Sequence, residues 1–431
     1  MRTLLILLCT LALAISVYAQ QAQWPTLRGP NLNGLVHQGN PPVEWSEEKN
    51  IRWKTAIPGA GHASPILWGD YLYVQTAIAG ETDSDPEYQY KLLAIHRNTG
   101  KVAWEKTLRE APPVEESHHR TASFASNSGI TDGEHLYAYF GSQGLYCLDF
   151  EGHLKWEQDL GDMTTRNSFG EGSSPAIQGD IMVVNWDHEK DSFIVALDKR
   201  SGKELWRQSR NEPSSWSTPL IVEFASKHQV IVSASNKTRS YDLTTGAVIW
   251  ECAGLGTNVI PTPLYRDGVV YVASGHRSPA MQAIRLDKAT GDITGSDAIV
   301  WSTDKNTPYV ASPVLYSDRL YMTKGRDAIL SCFAPATGEA IYGPQRLEDM
   351  GMVYASLVGN KDRIYISDLD GSTLVVKNSA RFEPLATNVL DEGTAASLIV
   401  AGDVIYLRGH QHLYCIAANY TSSTRNSRSI F

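Results

Sequence analysis

The sequence is poor in the residues that announce redox or metal chemistry. Five cysteines occur in 431 residues, none spaced Cys-X-X-Cys, and there is no His-Glu-X-X-His. A thiol redox centre or a zinc site therefore has no support. No basic tract and no basic–aromatic stripe interrupts a chain with 38 Lys and Arg against 47 Asp and Glu, a formal net charge of −9. That balance argues against nucleic acid or an anionic membrane surface as partner. Long apolar runs are missing too, except at the start, where Arg2 precedes Leu4–Ile15 and the small-X-small step Val17-Tyr18-Ala19. Residues 1–19 read as a secretory signal peptide cleaved after Ala19, and their apolar stretch is short for a membrane span. Cys9 lacks the small residues that a lipid-attachment site needs just before it. The expected location is periplasmic or secreted, with no membrane span after cleavage.

What the chain does have is a repeated phrase. Ser64-Pro65…Gly69-Asp70…Thr99-Gly100…Trp104 is followed by Ser174-Pro175…Gly179-Asp180…Ser201-Gly202…Trp206 and by Thr218-Pro219…Thr245-Gly246…Trp250. Thr262-Pro263…Gly291…Trp301 and Ser312-Pro313…Thr337-Gly338 continue the series, with degenerate copies at Ser126-Asn127…Trp156 and Ser356-Leu357…Asp362. Tryptophans at 53, 104, 156, 206, 250 and 301 recur every 44 to 52 residues. A period of this length with several short strands per unit predicts a β-propeller.

One unit shows why. In Phe193–Gln208 an apolar run ends at Asp198, a Ser-Gly turn follows, and Leu205-Trp206 resumes. That is strand, hairpin, strand, with Gly202 supplying the positive φ. The opening polar residue (His96, Asp149, Asp198, Asp242) accepts hydrogen bonds from the turn backbone. The tryptophan then offers a large apolar plate to the neighbouring sheet. Cys147, Cys332 and Cys415 fall at one position in three different units. Equivalent positions in separate blades lie too far apart to bridge, so these and Cys252 are expected as buried free thiols.

The units number eight, beginning near residues 62, 124, 172, 216, 260, 310, 354 and 395. The last lacks its turn-plus-Trp strand, while Ile51-Arg52-Trp53-Lys54 near the start is such a strand without companions. The predicted fold is an all-β, eight-bladed β-propeller of four-stranded blades, closed by the N-terminal strand pairing into the last blade. The organisation read from sequence is a signal peptide over 1–19, an irregular lead-in over 20–50, a single propeller over 51–418 and a C-terminal tail over 419–431.

The element apolar-Asp-X-X-[Ser/Thr]-Gly-[Lys/Ala]-X-X-Trp resembles the pyrroloquinoline quinone (PQQ) propeller repeat. Trp24-Pro25-Thr26-Leu27-Arg28-Gly29-Pro30…Gly34, Glu44-Trp45-Ser46 and Gly61-His62-Ala63-Ser64-Pro65 resemble a secreted bacterial branch of these PQQ-binding-like proteins. The resemblance implies one of two activities. The family holds dehydrogenases that oxidise alcohols or sugars with PQQ and Ca²⁺, and non-catalytic rings such as the outer-membrane-protein assembly lipoprotein. Departures from the dehydrogenases are the absent vicinal Cys-Cys, the shorter chain and the lack of an assignable Asp-bearing catalytic loop. The expectation is a non-catalytic binding or scaffold ring with no cofactor, acting as a monomer on a protein, peptide or saccharide; the alternative is a PQQ/Ca²⁺-dependent dehydrogenase.

Aligning the units on the Ser/Thr-Pro step places candidate ligand-binding residues at the channel mouth: His62, Phe124, Glu171, Trp216, Tyr309 and Tyr354. Such a cup offers stacking faces, one carboxylate and one imidazole to a flat or polyhydroxylated ligand; the simpler reading, and the favoured one, is that these side chains plug the channel mouth. His118-His119-Arg120 and Arg166-Asn167 lie in loops near it. Asp187-His188-Glu189 reads as a solvated loop, with a hard cation as the alternative, and His276-Arg277 and His410…His412 read as surface. No nucleophile–base–acid set and no metal set is legible.

Overall fold

The computed structural model describes residues 22–80, 87–115 and 118–421; the segment read from sequence as a signal peptide and most of the expected C-terminal tail lie outside them. Eight sheets follow one another around a ring. Blade 1 is built from Ile66–Trp68, Tyr71–Ala79, Tyr88–His96 and Val102–Ala111, and blade 2 from Ile130–Thr131, Leu136–Tyr139, Leu145–Leu148 and Leu154–Gln158. Blades 3 to 7 repeat this antiparallel order, each starting just after its Ser/Thr step, at Ala176, Leu220, Leu264, Val314 and Val358. In blade 8, Ile399–Ala401, Val404–Arg408 and His412–Thr421 are completed by Lys49–Ala56, so the first long strand of the chain is the outer strand of the last blade. That final strand runs to Thr421, past the boundary of 418 read from sequence.

Across the blades runs a row of large, small and large side chains in register: Tyr137–Cys147–Trp156, Tyr321–Cys332–Tyr342, Tyr406–Cys415–Trp53. The middle residue must be small for the outer rings to meet over it, and they do, with centroids 5.9, 6.3 and 5.9 Å apart. This explains the recurring cysteine, and Ala94, Ala196 and Ala283 fill the same place elsewhere. All four described cysteines are buried and unbridged. Burial pushes the Cys147, Cys332 and Cys415 thiols up to about 12, which keeps them inert.

The tryptophans fasten each blade to the next. The indoles of Trp53, Trp104, Trp156, Trp206 and Trp301 donate to backbone carbonyls in the following blade's turn at 2.8–3.1 Å. The turn glycine lies flat on the ring: a Cβ at Gly202 or Gly246 would come within 2.7 Å of Trp156 or Trp206, and both have φ near +70°. Trp250 differs. It donates instead to Gln229 in its own blade, and Gly291–Asp292 pairs alongside its strand. Blade 7 has Ala386 where the tryptophan belongs, and Trp45 of the lead-in stacks on Tyr365 at 6.3 Å.

Inside the ring the Ser/Thr hydroxyls form a girdle. The amides of Ser64, Ser128, Ser174, Thr262, Ser312, Ser356 and Ser397 each donate to the hydroxyl of the equivalent residue one blade on, at 2.9–3.0 Å. The link from Ser397 to Ser64 joins blade 8 to blade 1. This girdle fixes the repeat register in blade 2 at Ser128, two residues beyond the step read from sequence.

Candidate functional site

The central channel is lined differently at its two ends. Below the girdle the lead-in crosses the ring, Leu27 faces the channel, and Arg28 is buried beside it. The Arg28 guanidinium donates to the carbonyls of Leu357, Asn33 and Pro313, so it ties the lead-in to blades 6 and 7. Gly34 has no room for a side chain, because a Cβ there would fall 2.5 Å from that guanidinium. Trp24, fully buried, pairs through its backbone with Leu67. These contacts give the Trp-Pro-Thr-Leu-Arg-Gly-Pro…Gly segment its physical meaning.

Above the girdle the channel widens into a cup of about 840 Å³, including its part open to solvent. His62, Glu171, Trp216, Tyr309 and Tyr354 all line it. Phe124 does not, which corrects the expectation. With Ser128 in the girdle, the blade 2 residue at the level of His62 is Ser126, and Phe124 turns away to pack on Tyr88 and His118 at 4.9 and 4.7 Å. Sequence missed Phe169 and Arg326, which also line the cup. Neither belongs to the repeat, so the alignment carried no signal for them.

Two more expectations change. Asp187 is neither solvated nor free for a cation: it is fully buried, paired with Arg210 at 2.7 Å and bonded by Ser215 at 2.6 Å. His188 accepts from the Thr164 amide, and Glu189 accepts from the Ser214 amide. His276, read as surface, stacks on Tyr309 at 5.1 Å on the rim, and His410 lies 5.5 Å from His62.

The cup's polar groups are held in defined states. His62 Nδ1 lies 3.1 Å from the Thr121 carbonyl, which can only accept, so the proton sits on Nδ1 and Nε2 keeps its lone pair. Burial, with His410 and Arg408 nearby, holds His62 down to about 4, so the ring is neutral at neutral pH. Burial pushes the Glu171 carboxyl up to about 7, against hydrogen bonds from Ser142 Oγ and N at 2.5 and 2.8 Å. Trp216 is pinned by its indole donating to Gly170 O at 2.6 Å. Arg326 lies over the Tyr309 ring, 5.1 Å from its centroid. The arrangement can stack a flat ligand, accept from hydroxyls at His62 Nε2 and hold a negative group at Arg326.

Acidic and histidine side chains close enough to share an ion lie at outer turns instead, as Asp132, Glu134, His135 and as Asp149, Glu151, His153. Asp132 is occupied by Lys199 and Asp149 by Lys155, each at 2.8 Å.

Girdle, aromatic latches and one-sided cup together define an eight-bladed propeller of the PQQ-repeat class. The chain belongs to the family described as outer membrane protein assembly factor BamB, which it matches over residues 36–187 and 190–425. It is 24% identical over 305 residues to a tetrathionate hydrolase of Acidithiobacillus ferrooxidans, covering 65% of this chain and 53% of that protein. It is 33% identical over 82 residues to the assembly factor BamB of Francisella salina, 19% of this chain and 14% of that protein. The matches thus span about half and about a seventh of these curated relatives. Among solved structures, BamB from Moraxella catarrhalis superposes with a TM-score of 0.54 at 16% identity, covering 80% of this chain and 99% of that one. A europium-containing methanol dehydrogenase gives 0.65 at 9% identity, covering 92% and 98%. These structural likenesses show the fold alone.

Proposed function

We propose that this protein is an extracytoplasmic, non-catalytic binding or scaffold propeller that takes a protein, peptide or saccharide at the cup face. The observation that carries the reading is the asymmetry of the channel. At one end the lead-in crosses the channel, with Leu27 lining it and Arg28 buried and bonded to blades 6 and 7; the other end is walled by Trp216, Tyr309 and Tyr354. The relatives named for outer membrane protein assembly support a partner-binding role, and the apolar start of the chain supports export. No helix among the described residues is long and apolar enough to cross a membrane.

The dehydrogenase alternative asks the cup to hold PQQ with a calcium ion. Trp216 offers a stacking face, but the described lining holds one carboxylate, Glu171, whose two oxygens are already taken by Ser142. A hard cation needs six or more oxygens, and this lining does not fit one. Calorimetric titration with PQQ, with and without Ca²⁺, followed by dye-linked oxidation of alcohols and sugars, tests the reading. Neither binding nor turnover is expected, whereas Ca²⁺-dependent binding with turnover overturns it.

A further inference from the structure

The rim of the cup carries a charge opposite to that of the protein. Arg326 lines the cavity. Arg326, Arg277 and Arg166 all lie close enough to add to the burial that lowers the His276 pKa, and Arg326 and Arg120 both act on the Tyr354 hydroxyl. None of the four makes an ion pair among the described residues, as is also true of Arg28, Arg97 and Arg408, which bond backbone carbonyls instead. Four guanidinium groups near one opening, in a chain of formal charge −9, give that opening a positive field that favours an anionic ligand.

Deeper in, the demands change. The walls are ring faces, Phe169, Trp216, Tyr309 and Tyr354, and the polar side chains between them include His62 with its Nε2 acceptor, the buried Glu171 carboxyl, His119, Thr121 and Ser126. Aromatic faces suit the C–H face of a sugar ring, and an acceptor beside them suits its hydroxyls. Beneath the cup the same channel passes the girdle to Leu27 of the lead-in.

We infer that the cup binds an acidic saccharide, a chain of sugar rings bearing carboxylates, with a ring stacked on Trp216 and a carboxylate at Arg326. The inference rests on the binding role proposed above and names its ligand class. An acidic peptide shares the charge but not the array of ring hydroxyls.

The test titrates the full mature chain with tetragalacturonate, its methyl ester and an octaglutamate peptide, at low and high salt. The expected result is binding of tetragalacturonate that weakens about tenfold or more for the ester, for Arg326→Gln and at high salt, and is lost in Trp216→Ala. Arg326 is exposed, so its substitution leaves the fold intact, and far-ultraviolet circular dichroism checks Trp216→Ala. Equal binding of ester and acid overturns the inference, as does preference for the peptide or binding of none of the three. Trp216-dependent binding of ester or peptide would still leave the binding role standing. That role fails separately, through Ca²⁺-dependent quinone binding with turnover.

Discussion

The two faces of the ring are built from the same eight repeats and have opposite characters. On the lead-in face and in the girdle above it, polar groups are spent on the protein itself: Arg28 binds three carbonyls, and the seven girdle links consume both hydroxyls and amides. On the open face, one side of nearly every polar group is tied down and the other is left for a visitor. His62 spends Nδ1 on Thr121, Trp216 spends its indole N–H on Gly170, and their remaining faces line the cup. Stability is concentrated where the chain closes on itself, and recognition where first-strand residues face the channel without a repeat partner.

Matching substitutions should separate the two faces. Trp24→Ala on the lead-in face removes a fully buried ring and should cost about 3–5 kcal/mol in denaturant unfolding. A cost near zero would mean the lead-in is dispensable. In the girdle, Ser128→Ala leaves the buried Ser64 amide without an acceptor and should cost about 1–3 kcal/mol. On the open face Trp216→Ala should cost only about 1 kcal/mol, while abolishing ligand binding. A loss as large as that of Trp24→Ala with binding unchanged would make Trp216 a plug.

The last expected effect is in pH. Glu171 is raised in the folded state to about 7 from an ordinary value of 4.5, so the native protein holds that proton more tightly than the unfolded chain. Its contribution is therefore most favourable below about 4.5 and declines as pH rises to about 7. Glu171→Gln should remove this decline, so that the variant gains melting temperature relative to wild type between pH 5 and pH 8. Parallel profiles would show that the carboxyl is ionised throughout. His62 works in the opposite direction: its lowered value costs stability as pH falls below 6.5 towards 4.

Much of the fold was legible because it is written eight times. Period, turn glycine, Asx opener and tryptophan each report a local requirement, and the outer strand near residue 51 found its companions in blade 8 because neither end was complete alone. The hydroxyl of the Ser/Thr-Pro step was visible too, but its partner lies one blade away, some 40 to 50 residues along the chain, so its bond could not be read locally. The same gap misplaced Phe124: Ser126-Asn127 and Ser128-Gly129 look alike in sequence, and only the girdle chooses between them. Five cup residues followed from the repeat register. Arg326 and Phe169 come from loops without a repeat, and the Asp187–Arg210 pair joins positions 23 residues apart that no motif links.

The central claim is that the channel is reached from the cup alone. Because all four described native cysteines are buried, a single thiol introduced by Ala395→Cys at the cup wall can report access directly. The measurement is its rate of labelling by a bulky polar maleimide, with and without Leu27→Ala. The expected result is rapid labelling that Leu27→Ala leaves unchanged. Labelling that is slow until Leu27 is trimmed would place the open mouth on the other side and contradict the account.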